Sequence, residues 1–147
     1  MRIVNSLFVF SIFLSAGLSL ADSAPRAAVD TSGLGDSKIG MYLNGSWMNQ
    51  ESWIKKHLIE MLQAAAGDKE KASQKDAELI GLTCNQTPPD QCFYQGEVDY
   101  QFLGVPKENE KNSKGKVIFI INLDVSRNID TMEVKKIEQK LTESDKK

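Results

Sequence analysis

The chain holds one histidine, two cysteines and four prolines among its 147 residues, and this scarcity removes several mechanisms. A multi-histidine zinc site is out of reach with His57 alone, and a site built from one histidine and two disulfide-bonded cysteines has too few free ligands. A Cys–His nucleophile pair needs a free thiol, and no G-x-S-x-G sequence supplies a serine elbow. Gly33-Leu34-Gly35 lacks the preceding strand and the third glycine of a dinucleotide turn. Charge of neither sign dominates. Eighteen basic residues stand against 20 acidic ones, for a net charge of −2, which gives no electrostatic basis for holding nucleic acid or anionic lipid. No cofactor or metal is expected.

Long apolar runs are equally scarce, with one exception. Met1-Arg2 leads into Leu7–Ala21, which ends Ser19-Leu20-Ala21. One positive charge, an apolar core and small residues at the −3 and −1 positions form the plan of a secretory signal peptide cleaved after Ala21. The run is about 15 residues, short of the ~20 that a spanning helix needs. Residues 1–21 are therefore expected to be removed, and no stable membrane span is expected afterwards. The destination is periplasmic or extracellular, an oxidising compartment. Cys84 and Cys92 are then expected to form a disulfide around the polar, turn-forming Asn85–Gln91.

What the chain does have is a concentrated β-branched stretch, Lys116–Val125 (KVIFIINLDV). Side chains of a strand alternate between its faces. Val117, Phe119, Ile121, Leu123 and Val125 share one face, and Ile118 and Ile120 lie on the other. A strand apolar on both faces belongs in the centre of a sheet. Val98, Tyr100 and Phe102 alternate with Glu97, Asp99 and Gln101, predicting a strand with one wet face. The polar Lys107–Lys114 reads as the hairpin loop between the two, with Glu97–Leu103 antiparallel to Val117–Leu123.

Glu51–Ala66 is the clearest helix. Trp53, Ile54, Leu58, Met61, Leu62 and Ala65 recur at helical spacing, with Asn49 as a candidate N-cap and Gly67 as the stop. Ile39–Leu43 reads as a short strand or docking segment, Asn44-Gly45-Ser46 as a turn, and Ala77–Cys84 as a strand. Asp130–Thr142 reads as a second helix, with Asp130 as its cap and Val134, Ile137 and Leu141 as its apolar stripe. Residues 22–38 carry no periodicity and read as a flexible segment, and 143–147 as a frayed tail. The expected domain, 39–142, is α+β: an antiparallel sheet of three or four strands with two helices packed on it and one short-loop disulfide.

Three functions fit these parts. The first is an exported, non-enzymatic protein that binds another macromolecule, as an inhibitor, an immunity protein or an accessory of an envelope assembly. Its partner is expected to be a protein of the envelope or extracellular space. Trp47, Tyr42 and Tyr94 are the candidate contacts, because aromatic residues dominate interface hot spots. The second is a small apolar-ligand binder with a sheet–helix pocket lined by Leu58, Met61, Phe102 and Phe119. The third is a small secreted hydrolase using His57. Glu97 and Asp99 on one strand face read as a solvated pair. Asp124, Ser126, Asn128 and Asp130 have the spacing of a calcium loop, but Ile129 and Lys135 occupy the positions where the loop needs glycine and glutamate.

Overall fold

Lys114–Asp124, strand β4, is the axis of the molecule. A computed structural model describes residues 26–104 and 113–141 of the chain. The leader, the loop 105–112 and the tail after 141 lie outside the described residues. Val117, Phe119, Ile121 and Leu123 of β4 are almost fully buried, and Ile118 and Ile120 are half-buried on the opposite face, as alternation requires.

The sheet is antiparallel and has five strands: β1 (Arg26–Asp30), β2 (Thr83–Cys84), β3 (Gln91–Leu103), β4 and β5 (Glu133–Lys140). Its order is β1-β3-β4-β5, with β2 also on β3. Three helices join it: α1 (Lys38–Ser46), α2 (Glu51–Ala65) and α3 (Gln74–Ile80). The fold is thus α+β as expected, with one more helix and at least one more strand.

β3 and β4 pair antiparallel, but not in the expected register. Glu97 stands opposite Ile118, and the ladder runs from Gln91–Asp124 to Gln101–Lys114. β3 begins at the disulfide rather than after it, and this shifts the pairing. Inward from β3 point Cys92, Tyr94, Gly96 and Val98, all buried. Gly96 and Gly115 have structural roles. The rings of Tyr94 and Tyr100 lie where a Cβ at these two glycines would be. Each glycine is covered by an aromatic ring on its own face, which restores the packing that a missing side chain costs a strand.

Cys84 and Cys92 form the disulfide and face each other across β2 and β3. On the chain-entropy view a loop this short contributes about 2–3 kcal/mol.

Four expectations are corrected. Residues 26–30 form an edge strand on β3, paired from Arg26–Leu103 to Asp30–Asp99. All five residues are exposed, so no burial pattern marked the strand. Ile39–Leu43 and Asn44-Gly45-Ser46 are helical. Ser37 caps α1 by accepting from Gly40 N–H at 3.1 Å, and Ser46 donates back to the Tyr42 carbonyl at 2.6 Å. Gly40 is required there, because a Cβ would overlap the carbonyl oxygens of Leu34 and Gly35. Of the expected strand Ala77–Cys84 only Thr83–Cys84 is strand, and Ala77–Ile80 belongs to α3, which starts at Gln74. Ser73 and Asp76 make a reciprocal capping box, and Gly81 ends the helix in the left-handed region at φ 110°, as glycine readily does. Hydrogen bonds from the Ser73 backbone and then its hydroxyl hold the Asp76 carboxyl below its ordinary value.

The fourth correction is the largest. The helix expected over Asp130–Thr142 is absent from its described part, 130–141: Ile129–Thr131 makes a single 3-10 turn and Glu133–Lys140 is β5. β4 is a central strand, paired with β3 on one edge and open to a second partner on the other. β5 supplies the second, from Asn122–Glu133 to Gly115–Lys140. Val134 points inward and is buried, whereas Ile137 points outward, opposite Ile118. The helical spacing of these two residues therefore straddles the two faces of a strand. The outer edge of β5 is partly closed: Lys136 N–H donates to the Glu51 carboxylate at 2.9 Å, and Lys136 Nζ donates to the Asn49 carbonyl at 3.1 Å.

All three helices lie on the inward face of the sheet. Ile39 and Leu43 from α1, Ile54, Leu58 and Leu62 from α2, and Ala77 and Ile80 from α3 join Phe119 and its neighbours in one core. Among the described residues no helix is long and apolar enough to cross a membrane.

Candidate partner-binding surface

The α1–α2 hairpin carries the surface that stands out. In α2 the buried positions are Ile54, Leu58 and Leu62, spaced four apart along one stripe. Trp53 is one residue, or about 100°, off that stripe. It is 64% exposed, with Lys56 Nζ 5.9 Å from its ring. The helix begins without a side-chain cap: Gln50, not Asn49, is the capping residue, and its carbonyl accepts from Trp53 and Ile54 N–H. In α1, Ile39, Gly40 and Leu43 turn to the core, which leaves Met41 outward at 62% exposure. Met48, between the helices, is 64% exposed. One turn along from Trp53, His57 stacks on Tyr42 with ring centroids 4.3 Å apart. The hairpin thus presents one tryptophan and two methionines to solvent beside a stacked His–Tyr pair.

The candidate contacts read from sequence divide differently. Tyr94 is buried, and its hydroxyl donates to the Leu34 carbonyl at 2.6 Å. Burial pushes its phenol up to about 12. It ties the 3-10 turn Ser32–Leu34 to the core and has no surface to offer. Trp47 is half-buried and stacks on Tyr100 at 5.4 Å, and Tyr100 leans on Phe102 at 5.3 Å. Trp47 therefore seals the end of the sheet, and the exposed indole is Trp53, which the periodicity had placed in the core. Tyr42 is partly buried at the margin of the hairpin surface.

The residues proposed for a ligand pocket are not brought together. Leu58 and Phe119 are fully buried and Met61 packs against them. Phe119 stands opposite Gly96. Phe102 is six residues further along β3, about 20 Å away. The open hollows of the surface lie elsewhere. One of about 410 Å³ runs along the outer side of α2, past Lys55, Lys56, Ile59 and Glu60. Another, of about 550 Å³, lies at the end of the sheet between Asp30, Asp99, Lys114 and Leu141.

The remaining polar constellations make local ion pairs and hydrogen bonds. His57 Nδ1 is 3.7 Å from a Glu60 carboxylate oxygen, and both side chains are about half exposed. Glu97 and Asp99 share Lys116 at 3.0 and 3.8 Å. The hydrogen bond to Glu97 is the main cause that holds the lysine above its ordinary value. Asp124 accepts from Ser126 through both N–H and hydroxyl. That makes a local turn, and its carboxyl is lowered by those bonds. No cluster of three metal-ligating side chains occurs among the described residues. No family model matches the chain, and neither a curated protein nor a solved structure shows significant similarity to it.

Proposed function

We propose that this is an exported, non-enzymatic protein that binds another protein of the envelope or extracellular space, as an inhibitor, an immunity protein or an assembly accessory. The observation that carries the reading is the placement of Trp53, Met41 and Met48 on one helical hairpin, each more than three-fifths exposed. Exposing three large apolar side chains costs solvation free energy that a partner recovers by covering them. Tryptophan is the residue most enriched among interface anchors, and methionine adapts its shape to an apolar partner. The hairpin is rigid where an anchor must be rigid. Its inner stripe is buried in the core, and Glu51 fastens the start of α2 to the edge of β5. The leader read in the sequence and the Cys84–Cys92 bridge support an oxidising destination.

The test compares two tryptophan variants for capture of a partner from the secreted or envelope fraction of the source cell. Trp53→Ala is expected to weaken binding about thirtyfold or more and to leave thermal stability unchanged. Trp47→Ala is expected to lower stability through the lost stacking on Tyr100. Equal partner affinity in the wild type and Trp53→Ala removes the hairpin as the binding surface.

A further inference from the structure

The sheet has two edges, and they are finished differently. An exposed edge is a template for another strand unless charge or cover blunts it. β5 carries Lys135, Lys136 and Lys140, and Glu51 and Asn49 close it at Lys136. β1, at the other edge, reads Arg-Ala-Ala-Val-Asp. Its centre is small and apolar, its charges stand only at its two ends, and every residue is exposed.

Strand pairing fixes which backbone groups of β1 are open. Phe102 N–H donates to the Ser113 carbonyl, on the β4 side. In an antiparallel ladder the N–H and C=O of one residue point to the same side, and the side alternates along the strand. Phe102 therefore gives no hydrogen bond to Ala27 opposite it. β3 bonds β1 through Asp99, Gln101 and Leu103, which face Asp30, Ala28 and Arg26. Ala27 and Val29 are left with N–H and C=O directed away from the sheet, and neither has another backbone partner among the described residues.

The side chains divide the same way. Arg26, Ala28 and Asp30 share the outer face of the sheet. Asp30 stands directly opposite Asp99, a like-charged pair that costs a sheet stability. Lys116 serves Asp99 and Glu97. Neither Asp30 nor Arg26 has an ion-pair partner among the described residues. The two stand at opposite ends of β1, about 14 Å apart, too far to pair within one chain.

A second copy of β1 supplies what both lack. A two-fold axis through Ala28, perpendicular to the sheet, sets two copies of the strand antiparallel. Arg26 of each copy then falls opposite Asp30 of the other, and Ala27 opposite Val29. The two Ala27–Val29 pairs exchange four backbone hydrogen bonds. The two Arg26–Asp30 pairs are of the non-hydrogen-bonded kind, in which side chains come closest. An axis at Ala27 or at Val29 takes Arg26 away from Asp30 in both copies. The edge is thus complementary to itself in one register, as an isologous interface requires. We infer that β1 is the interface of a homodimer, in which two sheets join edge to edge into one. Four hydrogen bonds and two exposed ion pairs make this a weak, salt-sensitive dimer. Its helices all lie on the same face of the joined sheet, and the start of α2 is at the far edge, on β5.

The experiment is sedimentation velocity of the full disulfide-bonded protein from micromolar to millimolar concentration, with mild oxidation of an Ala28→Cys variant. A concentration-dependent dimer is expected, weaker at high salt. On the axis the two Cα atoms of residue 28 lie about 4.5 Å apart, within reach of a disulfide. Ala28→Cys is therefore expected to form a 28–28 disulfide far faster than Asn44→Cys, a control exposed on α1. Val29→Pro removes an outward donor and no bond to β3, and is expected to raise the dimer dissociation constant about tenfold or more. Arg26→Asp and Asp30→Arg are each expected to weaken the dimer about fivefold or more, and combining them is expected to restore it. Trp53→Ala leaves the dimer unchanged, so failure here and failure of the hairpin reading are separate results. A monomer throughout the range overturns the inference, as does a dimer that Val29→Pro leaves intact or that gives no 28–28 disulfide. Linkage of the Ala28→Cys variant to another protein of the secreted or envelope fraction, in place of itself, gives the edge to a foreign strand and overturns it too. The 28–28 link leaves the backbone of β1 unchanged, so the inference stays testable even if Val29→Pro fails to fold.

Discussion

Single residues decide where this fold is brittle and where it is merely decorated. Gly40 faces the carbonyls of Leu34 and Gly35 too closely for any side chain. Gly40→Ala is expected to lower unfolding free energy by about 1–3 kcal/mol, measured by urea titration, whereas Gly45→Ala, with open space around it, is expected to be neutral or stabilising. Tyr94 makes a pH prediction. Its folded pKa is raised from 10.0 to about 12 by burial. The unfolded chain therefore loses the phenol proton first as the solution becomes alkaline. The contribution is fully present below about pH 10 and is lost as pH rises from 10 to 12. Urea midpoints of the wild type are expected to fall over that window, and those of Tyr94→Phe to be lower at neutral pH and to fall less across it, the remainder coming from Lys116, which is also held above its ordinary value. A wild-type midpoint that holds steady to pH 12 contradicts the buried hydroxyl. The two tryptophans show what was not legible at this scale. Periodicity places Trp53 and Ile54 side by side on an apolar stripe, but a helix stripe has an edge, and only tertiary contacts say on which side of it a residue falls.

At the scale of elements, what could be read was set by how much each segment's own pattern decides. β4 and α2 were legible because each buries a continuous apolar stripe. The cystine was legible from compartment and spacing. β1 was not, because all five of its residues are exposed and only pairing with the end of β3 makes it a strand. β5 was misread because Val134, Ile137 and Leu141 match a helical stripe. Met132 and Val134, both buried and two apart, carried the strand signal. Two substitutions separate the readings. Val134→Ala is expected to cost about 1–2 kcal/mol. Ile137→Ala, measured at low micromolar concentration, is expected to cost less than about 0.5 kcal/mol. A helix that buried both residues would lose similar amounts at each. Replacing Cys84 and Cys92 by serine is expected to lower stability by about 2–3 kcal/mol without changing the far-ultraviolet circular dichroism at neutral pH and room temperature.

Among the described residues the three helices lie on one face of the sheet and none on the other, and each side has its own consequence. The helical side exposes Trp53, Met41 and Met48, and the other side exposes Ile137 and Phe93, with Ile118 and Ile120 half-buried. The sequence showed that the parts for several chemistries are few: one histidine, two cysteines in a bridge and no nucleophile motif. It did not show which aromatic residues reach solvent, because exposure depends on how α1 and α2 dock. Export adds a check of its own. Mass spectrometry of the protein from the source cell is expected to find Asp22 at the amino terminus, with both cysteines protected from alkylation. The most direct measurement of the central claim is quantitative capture from the source's secreted or envelope fraction, with wild-type protein and Trp53→Ala side by side. The account predicts a near-stoichiometric protein retained by the wild type and lost from the variant, at equal melting temperature. Equal retention by both, or nothing retained by either, contradicts it.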